Sequence, residues 1–213
     1  RSNEGCRDAT ESWKPEPTMN TTNTTRHAVL IAALAALTLG AAPLAAQAQA
    51  LVVNQAITEA EVLSAQKAWC QALVDISTTH VRDGQPAAKA LAEKVIDAAY
   101  GYQMGAVLFK PTLTVNPQTF RTTRAGALAY FVGGDTAFPK DTGFALKGWT
   151  RCEPVNAAVF IAGDSATTMG KVHITGKDGK VTTVDKTWKF VKDDAGRLRI
   201  VVHHSSLEYV AAN

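Results

Sequence analysis

Residues 155–206 read VNAAVFIAGDSATTMGKVHITGKDGKVTTVDKTWKFVKDDAGRLRIVVHHSS. Three turn signals punctuate this stretch: Gly163-Asp164-Ser165, Asp178-Gly179, and Asp193 to Gly196. They divide it into four extended runs, roughly 155–162, 167–175, 181–192 and 197–206. In the third run Val184, Trp188 and Phe190 alternate with Asp185, Thr187 and Lys189. One face is therefore buried and the other wet, as in an antiparallel sheet covered on one side. The last run changes character at its end, where His203-His204-Ser205-Ser206 follows Ile200-Val201-Val202. Side chains alternate along a strand, so Leu198, Ile200, Val202, His204 and Ser206 are expected to share the core face. His203 and Ser205 are then expected on the opposite face. Two readings stay open here: His204 and Ser206 as polar groups of a dry pocket, or as side chains satisfying a frayed strand end.

Upstream the period is helical. Thr58-Glu59-Ala60-Glu61 is a capping box, and it opens a helix running to about Arg82. Val62, Ala65, Trp69, Leu73 and Ile76 form its apolar stripe. Asp83-Gly84 ends it. A second helix starts near Pro86, with Leu91, Val95, Ala98 and Tyr102 on one stripe. Residues 107–114 read as a strand, which Pro111 confines to a sheet edge or a bulge. A short helix from Thr123 to about Val132 is closed by Gly133-Gly134. Its Tyr130 follows Gly126 and Ala127, small residues that leave the ring room to lean inward. Helices first and a meander after them give an α+β domain, with N-terminal helices packed on one face of a curved, mostly antiparallel sheet.

The front of the chain reads differently. From Met19, a polar start with Arg26 and His27 precedes an apolar run from Ala28 to Leu39. Ala46-Gln47-Ala48-Gln49-Ala50 then offers two small-x-small cleavage sites. Residues 19–50 are read as a secretory signal peptide cleaved after Ala50, and 1–18 as an upstream mis-start or an added extension. The expected domain is 51–213, in the periplasm, with no membrane association after cleavage. The whole chain carries a formal charge of +3, spread without any basic patch, which excludes a nucleic-acid surface. Cys70 and Cys152 follow the signal; they could pair in an oxidising compartment or remain buried thiols.

Several chemistries are excluded by pattern. A Gly-x-Ser-x-Gly elbow, a Cys-x-x-Cys pair and a His-Glu-x-x-His helix are all missing, as is a glycine-rich phosphate loop. Beyond the signal the histidines are His80, His173, His203 and His204. Adjacent strand residues point apart, so His203 and His204 do not share a metal. No cofactor is indicated; zinc or another divalent metal is the alternative.

Several blocks together resemble a known family: Ala99-Tyr100-Gly101-Tyr102, Val107 to Thr112, Phe120-Arg121, Ala129 to Gly134, Asp141 to Leu146, Met169-Gly170 and His203 to Ser206. The chain is similar to the bacterial iota-class carbonic anhydrases, built on the cone-shaped SnoaL-like (cystatin-like) fold and related to the association domain of calcium/calmodulin-dependent kinase. The resemblance implies reversible hydration of carbon dioxide to bicarbonate, and a homodimer. It implies a pocket of Thr112, Tyr130, His204 and Ser206, with Tyr102 and Ser205 as weaker members. Glu208 stands where relatives often have proline, which puts a charge beside that pocket. Two other classes compete on this fold: a non-catalytic oligomerisation or ligand-binding module, and a proton-shuttling isomerase. The isomerase wants an interior carboxylate, and the interior-facing positions above contain none.

Overall fold

Thr58 caps the first helix as its sequence dictates. In a computed structural model, which describes residues 51, 52 and 54–211, its hydroxyl accepts from the Glu61 N–H while Glu61 reaches back to the Thr58 N–H. The secretory signal expected at 19–50 and the extension at 1–18 lie outside the described residues. Helix α1 (Glu59–Asp83) and helix α2 (Gln85–Ala99) are joined at Gly84. Strand β1 (Leu108–Lys110), helix α3 (Arg124–Val132) and a single 3-10 turn at Phe144–Leu146 follow. Four long strands finish the chain: β2 (Trp149–Ala162), β3 (Ser165–Gly176), β4 (Val181–Lys192) and β5 (Leu198–Leu207).

The sheet order is β1-β5-β4-β3-β2. The long strands pair antiparallel, and β1 joins β5 in parallel at one edge. Pro111 stops β1 after three residues, so the strand expected over 107–114 is shorter than its composition suggested. The helices cover one face of the sheet. Between the layers lie Trp69, Leu73 and Ile76 of α1, Ile96 of α2, Phe131 of α3, and Val172, Trp188, Phe190 and Ile200 of the sheet, all buried. On α2 the fully buried residues are Ala88, Ala92 and Ile96; the expected Leu91 and Val95 pack against the core partly buried beside them, and Ala98 is exposed.

Three buried polar devices tie the layers. Cys70 of α1 is disulfide-bonded to Cys152 of β2, resolving the choice left open by the sequence in favour of pairing. Arg199, 4% exposed, caps the C-terminus of α2 by donating to the Asp97 carbonyl at 2.9 Å and to that of Ala98, and it pairs with Asp193 at 2.8 Å. Arg121 and Asp141 form a buried ion pair at 2.8 Å. The Arg121 N–H also donates to the Phe109 carbonyl at 2.8 Å, so the segment leading into α3 is held against β1. That bond sets Thr112 and Tyr130 over the same end of β5.

The parity of β5 differs from simple alternation. Lys189 pairs with Val202 but Phe190 pairs with Ile200, so Val201 is an extra residue, a bulge. Its cause is remote. The Gly101 N–H donates to the Ile200 carbonyl at 3.0 Å, and a Cβ on Gly101 would stand 3.1 Å from the Val201 side chain. The Tyr100-Gly101 backbone thus docks on β5 where the bulge forms, and every later side chain changes face. The expectation for His204 and Ser206 is overturned: His203 and Ser205 are each 1% exposed in the core, while His204 is exposed and Ser206 half-buried on the outer face.

Candidate active site

The corrected parity lines up a polar row across the core face of the sheet. Register places Asn156 beside Gly170, Gly170 beside Lys186, and Lys186 beside Ser205. The row continues past Ser205 to Thr112, which follows β1, and the two hydroxyls meet at 2.5 Å. Lys110, on β1, donates to the Ser205 carbonyl at 3.1 Å and steadies the strand there.

Tyr130 comes from α3 to the same place. Its ring stacks on Phe144 at 5.4 Å between centroids and meets Phe109 edge-on at 5.8 Å. Its hydroxyl is buried and has no hydrogen-bond partner among the described residues. Burial pushes its pKa up; the Leu113 backbone and the Thr112 hydroxyl lie near enough to work against that without completing a bond. The group therefore stays protonated, a donor with nothing to donate to.

His203 stands behind these hydroxyls. It lies flat against Phe109, with ring centroids 4.3 Å apart, and Trp69 meets it edge-on at 5.4 Å. Its Nδ1 is 2.8 Å from the Tyr100 hydroxyl, which in turn accepts from the Trp69 indole N–H at 2.9 Å. Its Nε2 is 2.8 Å from the Lys186 Nζ. Burial first, then the neighbouring Lys186 and His204, hold its pKa well below the usual imidazole value, so the ring is neutral.

Of the residues expected in the pocket, the fold brings Thr112, Tyr130 and Ser205 together. His204 and Ser206 lie across the sheet from them, in an outer groove with Met169, Lys171, Asp185 and Thr187. Tyr102 stacks on Tyr100 at 5.8 Å, but its hydroxyl donates to the Arg121 carbonyl at 2.9 Å and serves the loop. Glu208 pairs with Lys171 on the outer side instead of placing a charge beside the hydroxyls. His203, Tyr100 and Lys186 were missed. For Lys186 a signal existed, since strand parity sets it between Val184 and Trp188. Among the described residues, no three of His, Cys, Asp and Glu converge as a metal site would require.

Comparison with known proteins identifies the family. The family described as metal-independent carbonic anhydrase matches residues 60–207, from α1 through the last strand. A metal-independent carbonic anhydrase of Nostoc sp. (strain PCC 7120 / SAG 25.82 / UTEX 2576) is 70% identical over 158 residues, covering 74% of this chain and 77% of its own. Among solved structures, the iota-carbonic anhydrase from a cyanobacterium, crystallised with bicarbonate, is 67% identical with a TM-score of 0.75. That match covers 77% of this chain and all of the cyanobacterial one.

Proposed function

Because the chain belongs to the metal-independent carbonic anhydrases, we propose that carbon dioxide is hydrated at the hydroxyl cluster of Thr112, Ser205 and Tyr130, in front of His203. The reaction is the reversible hydration of carbon dioxide to bicarbonate and a proton, without a metal. The observation that carries the placement is the Tyr130 hydroxyl, buried and unpaired beside the 2.5 Å Thr112–Ser205 contact.

Carbon dioxide is small and apolar, and the Phe109 and Tyr130 rings offer it an apolar wall. Water must be held beside it, and Thr112 and Ser205 can each donate and accept to do so. As the water oxygen bonds to carbon, negative charge builds on the former carbon dioxide oxygens. A donor fixed in a dry site stabilises that charge without reorganising, and the Tyr130 O–H is such a donor. Bicarbonate, the ligand of the cyanobacterial relative, has the acceptor oxygens this cluster would meet. This reading moves the imidazole and hydroxyl roles expected of His204 and Ser206 back by one residue each, to His203 and Ser205. Stopped-flow hydration on protein dialysed exhaustively against chelator tests it: full activity is expected. Loss with chelator and return with zinc would end the metal-free mechanism.

The periplasm and the homodimer belong to the same proposal. The Cys70–Cys152 bond suits an oxidising compartment, and Val155, Phe160 and Met169 leave apolar surface exposed on the outer face of the sheet. Osmotic-shock release of a chain beginning near Leu51, then light scattering on the released protein, checks both. A cytoplasmic or monomeric protein would remove the corresponding half.

A further inference from the structure

Lys186 is a buried titratable group that the chemistry above leaves unused. It is 4% exposed, and its Nζ lies over two indole rings, 4.8 Å from the centroid of Trp69 and 5.3 Å from that of Trp188. Among the described residues no carboxylate forms an ion pair with it. Trp69 and Gln66 face this layer from α1, Thr168 and Gly170 from β3, and His203 and Ser205 from β5. The titratable groups beyond these are Tyr100, on the far side of His203, Lys110, at the Ser205 carbonyl, and His204, which acts on His203 from the outer face. Asp185 and Lys171 turn to the outer face.

Counting protons along the chain fixes its resting state. The Trp69 N–H can only donate, so Tyr100 accepts there. Tyr100 is 1% exposed, and the acceptor within reach of its O–H is His203 Nδ1. A neutral ring that accepts at Nδ1 carries its proton on Nε2 and donates it to the Lys186 Nζ. That nitrogen must then offer a lone pair. With a charged lysine the direction reverses, and the Tyr100 proton is left buried without an acceptor. Only the neutral amine satisfies every member of the Trp69–Tyr100–His203 chain, its own N–H bonds lying over the indole faces. Burial acts the same way, lowering the Lys186 pKa from 10.5 to about 7.

We propose that Lys186 is a positioning residue for hydration, acting through His203: as a neutral amine it holds the ring in the Nε2–H tautomer and stores the proton that hydration releases. This rests on the placement of the site given above. As the water oxygen bonds to carbon, one of its O–H bonds breaks; the proton is taken up at the Tyr100 oxygen while the Tyr100 O–H passes its own proton to His203 Nδ1. The Nε2 proton passes to the Lys186 Nζ, so water, carbon dioxide and amine become bicarbonate and ammonium. The indole faces of Trp69 and Trp188 stabilise the ammonium while it lasts. Return of the proton through His203 and Tyr100 to water in the emptied pocket resets the site.

The first test needs no variant: ¹⁵N NMR of labelled wild-type protein. An Nε2–H tautomer for His203 and an uncharged Lys186 near pH 8 are expected; an Nδ1–H ring beside a charged lysine would overturn the proposal. Stability should agree. Between about 7 and 10.5 the unfolded chain binds a lysine proton that the fold does not, so stability rises with pH there. Above about 10 the buried tyrosines, whose values are raised, reverse the slope. Lys186→Met should flatten the rise; an unchanged rise would count against a neutral lysine. In stopped-flow assays Lys186→Met and Lys186→Gln should lower kcat by about 10²-fold with KM unchanged, and remove the limb of the pH profile near neutrality. Should neither fold, Lys186→Arg, which cannot give up its proton, is expected to show the same loss. Wild-type rates and profile in these variants, with Thr112→Ala inactive, would overturn the role of the lysine alone. Full activity in Thr112→Ala would overturn the site and the lysine's role with it.

Discussion

Tyr130→Phe, Thr112→Ala and Ser205→Ala are each expected to lower carbon dioxide hydration by a factor of about 10² to 10³, the usual loss for one fixed donor. Tyr130→Phe is the cleanest of the three. It keeps the ring on Phe144 and against Phe109, and removes only a hydroxyl that no other group among the described residues uses. A loss of rate without a loss of stability would therefore report transition-state stabilisation. Ser205→Ala leaves the Thr112 hydroxyl without its 2.5 Å partner, so a small loss of stability should accompany the loss of rate. His204→Ala and Ser206→Ala supply the contrast, because both side chains lie across the sheet from the cluster. They are expected to keep near-wild-type rates. The reverse pattern, with His204 and Ser206 essential and Ser205 dispensable, would sink the placement of the site.

Loss of the disulfide is expected to have the largest effect on stability. Cys70 and Cys152 are 82 residues apart in sequence, and closing a loop of that length removes about 4–5 kcal/mol of conformational freedom from the unfolded chain. Cys70→Ser with Cys152→Ser should lower Tm by roughly 10–15 °C in a domain of this size. The bridge also joins α1 to β2, and Trp69, next to Cys70, supplies the donor that orients Tyr100. Calorimetry with and without reductant, beside the double variant, measures the effect. A Tm that does not move would show that the helix is held by its packing alone.

Much of this fold can be read directly from the chain. The Thr58–Glu61 box, the glycines after the helices and the three hairpin signals are local, and the elements they bound formed close to expectation, although β2 starts well before 155, at Trp149, and β1 stops at Lys110. The face of β5 was not legible, because nothing in Ile200-Val201-Val202 announces a bulge. It is imposed by Gly101, about a hundred residues upstream, whose backbone bonds to Ile200. Two of the four expected pocket residues were displaced by that single extra residue. Thr112 and Tyr130 escaped, since neither depends on counting along a long strand. Lys186 illustrates the opposite case: alternation alone places it on the buried face, and a charged residue there is a signal in its own right.

The parallel pairing of β1 with β5 has a consequence in time. Thr112 and Ser205 touch across 93 residues, and β5 must slot between β1 and β4 before they meet. Contacts between such distant segments carry the loop-closure cost that slows folding, whereas α1, α2 and the β2–β3–β4 hairpins can form from neighbours. A growing chain therefore holds most of its architecture before it holds any hydroxyl cluster. The enzyme stays chemically silent until its last strand is seated.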